Sequence, residues 1–256
     1  MRIVHAADLH VDSPLRGLER YEGAPLAHAR GATRRALQQV VDICLAERAS
    51  FLVLAGDVFD SDWKDVRTGL FFRNALVPLR EIGCRVLLLR GNHDFELTRA
   101  LIPPDHVHTF AAATAAPGPR DRERHTFAFE NEGVVFHGLS YPEQHVRRSL
   151  LPQYPPPVAG LVNIGVLHTN ASGSLDHAPY APCSTEELVR HGYDYWALGH
   201  VHGRAVLHQE PWIVYPGNTQ GRSVRETGDK GCAVLEVSGG SIRDVKFVNT
   251  DVLRWF

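Results

Sequence analysis

Five short segments of this 256-residue chain concentrate the residue types that bind metals and move protons. They are Asp8-Leu9-His10, Gly56-Asp57-Val58-Phe59-Asp60, Gly91-Asn92-His93-Asp94, the single His168, and Gly199-His200-Val201-His202. Fifteen histidines is an unusual number for the length, and these segments account for five of them. Imidazole and carboxylate ligands suit Mn²⁺, Fe²⁺ or Zn²⁺, and no thiolate accompanies them to select a softer metal. Asp8 and His10 stand two apart, so on an extended chain they share a face, as do His200 and His202. Gly56, Gly91 and Gly199 permit a tight turn or a close backbone approach just before the ligands. Two divalent ions would be only partly neutralised by Asp8 and Asp57, and the remaining positive charge would suit a phosphate.

These segments need elements to bring them together. Residues 2–7, 51–55 and 85–89 are apolar runs that read as strands. Residues 33–48 and 68–82 carry apolar side chains at helical spacing. The β-α-β-α-β order predicts parallel strands with helical crossovers. The second half is richer in strands, expected at 126–129, 134–139, 162–168, 195–198, 205–208, 212–215, 233–237 and 244–249. Short helices are expected at 143–150 and 184–191. This pattern predicts a second sheet packed on the first, in an α/β four-layer α/β/β/α sandwich of two mixed sheets flanked by helices. Residues 111–124 read as an exposed loop and 152–157 as a connector. Each chemical segment follows a predicted strand. In open α/β sheets, functional groups gather beyond the carboxyl ends of the strands, so the five segments should converge.

Composition narrows the class. An apolar fraction of 44% with 22% charged residues is ordinary for a globular protein. A net charge of −2 excludes a globally basic nucleic-acid coat, though not a local groove. Cys44, Cys84, Cys183 and Cys232 form no CxxC pair, which excludes a thiolate metal site and a disulfide framework. No signal segment precedes the first strand, and apolar runs fall far short of the ~20 residues that span a bilayer. The expectation is a reduced, soluble, cytoplasmic protein with no membrane association.

In order and spacing, the five segments resemble the motifs of the calcineurin-like metallophosphoesterases. That resemblance implies two metal sites. One would take Asp8, His10, Asp57 and His202; the other would take Asp57, Asn92, His168 and His200, with Asp57 bridging. It also implies that His93 is the catalytic histidine and that Asp60 orients it. A narrower resemblance runs through HAADLHVDSP (5–14), GVLHTN (165–170), YDYWALGHVH (193–202) and YPGNTQGR (215–222). These are similar to the SbcD-type DNA repair exonucleases, particularly their YhaO-like branch, which are related to the Mre-type recombination nucleases. The implied activity is hydrolysis of DNA phosphodiester bonds, as exonuclease or single-strand endonuclease, by a hydroxide bridging two metals about 3.5–4 Å apart. Manganese is the implied metal ahead of iron, zinc or magnesium. The implied partners are DNA, an SMC-like coiled-coil ATPase and a second copy of the chain. Such relatives continue into a C-terminal capping domain and a partner-binding segment. Residues 1–256 are expected to be the nuclease domain without them. Some relatives carry histidine where Asp60 stands, so a histidine–histidine pairing is not implied here.

Other candidates have plainer readings. His28, His106, His108, His125, His145, His177, His191 and His208 read as packed or surface histidines, and His5 and His137 as core groups. Asp12 reads as a turn residue beside Ser13-Pro14. Asp94 either completes its turn or supports the site. Arg16, Arg90, Arg99, Arg204 and Arg222 flank the motifs and are as well explained by surface or ion-pair roles as by phosphate contact. The sequence contains no aromatic-plus-basic stripe of the kind that stacks bases, so DNA rests on the resemblance. The alternative is a small-molecule or nucleotide phosphodiesterase or phosphomonoesterase. A non-catalytic scaffold would have lost ligands, and here all are present.

Overall fold

The computed structural model describes residues 1–15, 31–60, 65–96, 104–114, 118, 123–171 and 180–256. Arg16, Arg99, His28, His177 and part of the 111–124 segment lie outside them. Two six-stranded sheets face each other. The first has the order β12-β11-β1-β2-β3-β4, built from β1 (Arg2–Ala6), β2 (Phe51–Ala55), β3 (Arg85–Leu89), β4 (Val107–Thr109), β11 (Gly231–Ser238) and β12 (Ser241–Asn249). Strands β1 to β4 run parallel, and β11 and β12 add antiparallel pairs at one edge. The second has the order β5-β6-β7-β8-β10-β9, with β5 (Thr126–Phe129), β6 (Val134–Gly138), β7 (Val162–His168), β8 (Tyr195–Gly199), β9 (Ala205–Gln209) and β10 (Trp212–Tyr215). Its four central strands are parallel, and β5 and β9 are antiparallel edges.

Strands β2 and β7 are buried at every position, as expected of parallel strands covered on both faces. One face of each sheet meets the other, packing Ile3, Phe51, Val53, Leu87 and Leu89 against Phe136, Ile164, Val166 and Ala197. The outer face of the first sheet is covered by α1 (Ala32–Ala46) and α2 (Val66–Glu81), whose Leu37, Val40, Val41, Phe72 and Leu76 sit on Val4, Leu52 and Leu54. The outer face of the second sheet carries α3 (Thr185–His191) and irregular chain, with Leu188, Trp196, Leu198 and Tyr215 in one cluster. A Ser184–Glu187 capping box starts α3, and left-handed Gly192 ends it.

The four-layer architecture stands, with three local corrections. Residues 143–150 are not helical: the Val146 carbonyl accepts from Ala181 N–H at 2.7 Å, and a helix would need that carbonyl for Leu150. The start of the 111–124 segment is not an exposed loop. Ala111 and Ala113 are buried, and Ala112 bridges to Ser140 between the sheets. Strand β4, three residues long, had no detectable periodicity.

His5 links the sheets. Its Nδ1 lies 3.0 Å from the Tyr195 hydroxyl and its Nε2 3.2 Å from the Leu198 carbonyl. The carbonyl can only accept, so Nε2 carries the proton and the tyrosine hydroxyl donates to Nδ1. Burial pushes its pKa down to about 3. The unfolded chain therefore binds a proton that the fold refuses. The stabilising contribution is complete above about pH 6.5 and is lost as pH falls towards 3. His137, lowered by burial to about 4, acts in the same direction. Urea midpoints measured from pH 7 to pH 4 are expected to fall less steeply for His5→Gln than for the wild type. Parallel slopes would remove His5 from the acid response.

Candidate metal centre

All five segments emerge at the carboxyl ends of parallel strands. Asp8 and His10 follow β1, Asp57 and Asp60 follow β2, and Asn92 and His93 follow β3. His168 closes β7, and His200 and His202 follow β8. Within each sheet, backbone hydrogen bonds carry the pairing of neighbouring strands past their ends. Asp8 N–H donates to Gly56 O at 3.1 Å, His10 N–H to Asp57 O at 3.1 Å, and Thr169 N–H to Gly199 O at 3.1 Å. A Cβ on Gly199 would collide with the Ala55 carbonyl, and one on Gly91 with the Asp57 carboxylate. These two positions therefore accept only glycine at this sheet separation.

Four of the expected ligands have left-handed backbones: Asp8 (φ 51°), His10 (φ 44°), Asp57 (φ 53°) and His200 (φ 98°). Such angles are uncommon outside glycine, and they persist only where the surroundings over-determine them. Their concentration in one place marks a functional constraint.

The side chains form two main clusters. Asp8, His10 and His202 bring ligand atoms within 4.8 Å of one another, as do Asp57, His168 and His200. Asp8 accepts the His200 N–H at 3.0 Å, and its Oδ1 is 3.9 Å from His202 Nε2. His168 Nε2 lies 3.0 Å from Asn92 Oδ1 and 3.3 Å from Asp57 Oδ2. The second Asp57 oxygen accepts the His93 N–H at 2.9 Å.

Three of the four ligand imidazoles are fixed through Nδ1. That atom of His10 lies 2.6 Å from Asp60 Oδ1, that of His168 lies 2.9 Å from the Ala55 carbonyl, and that of His202 lies 2.8 Å from Glu226 Oε1. A proton on Nδ1 turns each Nε2 lone pair inward, as metal-ligating histidines require. His10 Nε2 is buried with no hydrogen-bond partner. That orphaned acceptor, with carboxylates and imidazoles converging on it, fits a divalent cation.

The buried carboxylates favour positive charge at this position. Burial would raise the Asp57 pKa, but the charges of His168, His10 and His93 hold it below the usual carboxylate range. Burial lowers the His168 pKa, and the neighbouring Asp57 overrides this to push it up to about 9. Burial keeps His10 below its ordinary value despite its bond to Asp60. Asp94 is pushed up to about 7 by burial and by the Asp57 charge. It accepts Gly91 N–H at 2.6 Å and Val58 N–H at 2.8 Å. Asp94 therefore completes its turn and ties it to the segment after β2.

Asp60, expected to orient His93, is bonded elsewhere. Its Oδ1 is 2.6 Å from His10 and 3.1 Å from Arg222 Nη1, but 3.7 Å from His93 Nδ1. His10, Asp60 and His93 do form a third close group, in which the short His10–Asp60 bond dominates. Asp12 is not simply a turn residue: it accepts from Arg34 on α1 and from Thr68 on α2. His137 bonds to Asn163 and Thr126 in the core, as expected.

Glu226 was missed. Besides His202 it accepts from Asn218 Nδ2 at 2.9 Å and from Arg222 N–H at 2.6 Å. Its pKa is held down to about 2, because the His202 bond and charge outweigh burial. Glu226→Gln is expected to weaken divalent-cation binding by about 10–100-fold, read by Mn²⁺ titration calorimetry. An unchanged affinity would remove Glu226 from the site.

Two facing mixed sheets thus gather carboxylates and imidazoles at their strand ends in an arrangement suited to divalent cations. The profile of the calcineurin-like phosphoesterases matches residues 1–204, and the chain belongs to that family. It is 36% identical over 247 residues to the uncharacterized metallophosphoesterase YhaO of Bacillus subtilis, covering 94% of this chain and 59% of that protein. It is 25% identical over 281 residues to the DNA double-strand break repair protein Mre11 of Methanopyrus kandleri, covering 99% and 58%. The chain thus spans under two thirds of the length of both relatives. Among solved structures, TT1561 of Thermus thermophilus superposes with a TM-score of 0.55 at 14% identity, over 97% of this chain and 98% of that one. A dimetal phosphatase from Danio rerio gives 0.51 at 13% identity, over 93% of each. At such identities these two report the shared fold. No helix among the described residues is long and apolar enough to cross a membrane.

Proposed function

We propose that this chain is a DNA nuclease of the SbcD type, in its YhaO-like branch, that hydrolyses phosphodiester bonds. The observation that carries the reading is the pair of ligand clusters, Asp8–His10–His202 and Asp57–His168–His200, with His93 beside them. Distant similarity to the DNA double-strand break repair protein Mre11 supports the choice of DNA. Asp8, His10, Asp57 and His202 would hold one divalent ion. Asp57, Asn92, His168 and His200 would hold the other, with Asp57 shared. Manganese is the metal of this reading. When bound, the ions supply Lewis acidity to the phosphate oxygens and a nucleophilic water at neutral pH.

The protein's own groups do the rest. Asp8, His10, Asp57 and His168 are almost wholly buried, so the ligand shell is rigid and closed to water from behind. His93 is bound to that shell through its backbone N–H on Asp57, while its side chain is 36% exposed. It can meet a substrate there and protonate the leaving oxygen. Asp60 and Glu226 hold His10 and His202 in register. The same reading carries a cytoplasmic location, an SMC-like coiled-coil ATPase partner and a homodimer. For the homodimer, the exposed Val66, Leu70 and Val77 along α2 offer a face.

End-labelled linear DNA incubated with Mn²⁺ tests the proposal. Metal-dependent cutting that is lost in His200→Ala is expected, and the product ladder reports whether it starts at an end. Intact DNA beside hydrolysis of an aryl phosphodiester would replace DNA with a small substrate.

A further inference from the structure

Next to the Asp57–His168–His200 cluster the fold brings together aromatic rings from two distant segments. The Tyr180 ring lies 5.0 Å from the His200 ring, centroid to centroid, at 56°. The His145 ring stands 5.7 Å from Tyr180 at a shallow 31°. Tyr180 is partly exposed and packs against the outer core of the second sheet, and His145 is exposed. Arg147 and Arg148, both exposed, follow His145.

The backbone around Tyr180 is held by several hydrogen bonds. Asn170 N–H donates to the Tyr180 carbonyl at 3.1 Å, and Ala181 N–H donates to the Val146 carbonyl at 2.7 Å. The Thr169 hydroxyl donates to the Ala181 carbonyl at 2.8 Å. Ala181 itself is buried with a left-handed φ of 42°. A strained non-glycine residue held by its surroundings points to function, and what it fixes here is the ring beside His200.

We propose that Tyr180, with His145, is a stacking platform for a nucleobase adjacent to the phosphate held at the metal centre, with Arg147 and Arg148 contributing charge to the flanking backbone. This rests on the nucleic-acid phosphodiesterase reading and deepens it. Aromatic faces beside basic residues bind single strands in a sequence-tolerant way, because every base has a π-face.

The test compares a dye-labelled single strand with the same strand carrying an abasic position, by anisotropy. The protein is loaded with Ca²⁺ under conditions where a gel shows the strand intact. Wild type is expected to bind the base-bearing strand about tenfold more tightly. Tyr180→Phe should keep that preference, and Tyr180→Ala should lose it while binding the abasic strand like wild type. Exposed His145→Ala should reduce the preference, and serves if Tyr180→Ala does not fold. No preference in wild type, or a preference retained in Tyr180→Ala, would overturn the platform. Failure of the nuclease reading looks different: the base preference would persist, but Mn²⁺ would produce no cutting.

Discussion

Asp57→Asn is expected to lower turnover by about 10³-fold or more and to leave the chain unable to hold two ions. A coordinating carboxylate contributes Lewis-acid positioning that no neighbouring group replaces. Asp57 faces both clusters: its charge acts on His168 and His10, and one oxygen lies 3.3 Å from His168 Nε2. Asparagine keeps the size of the side chain and can still accept the His93 N–H, so the loop after β3 should stay in place. What disappears is the negative charge that would offset two cations in a space that is 2% exposed. Circular dichroism should therefore report an intact fold while metal analysis reports the loss. A variant that retained two ions and near-normal turnover would remove Asp57 from the shared position.

His93→Ala should separate chemistry from metal binding. Turnover on DNA is expected to fall by about 10²–10⁴-fold, the usual range for a general acid. Metal content should be unchanged, because the backbone N–H that reaches Asp57 survives the substitution. The loss should shrink on an aryl phosphodiester, whose leaving oxygen departs without a proton. A uniform loss on both substrates would assign His93 to phosphate binding. A loss of metal would make it a ligand, as its closeness to His10 and Asp60 permits.

The parts of this account that were legible in the sequence are those governed by local pattern. Strands β2, β3 and β7 are short, mostly apolar runs, and their predicted and observed limits coincide. The ligand segments were legible because each directly follows such a strand, so topology brings them together. The rest depended on contacts between distant segments. Glu226 reaches His202 across 24 positions, through a loop whose shape no periodicity encodes. Asp60 bonds His10 and not His93, and strand adjacency could not foretell this, because β2 pairs in register with both β1 and β3. Residues 143–150 lost their helix to a single bond from Ala181. Tyr180 and His145 are far apart in the chain and meet through that same bond, so no stripe was visible in sequence.

Strand-end acids and imidazoles are proposed to hold two divalent ions in adjoining clusters. Counting Mn²⁺ bound per chain at equilibrium tests this most directly, in the wild type and in His200→Ala. Two ions are predicted for the wild type and one for the variant, which keeps Asp8, His10, Asp57 and His202. A wild type that binds one ion or none at saturating Mn²⁺, or a variant that still binds two, would contradict the account.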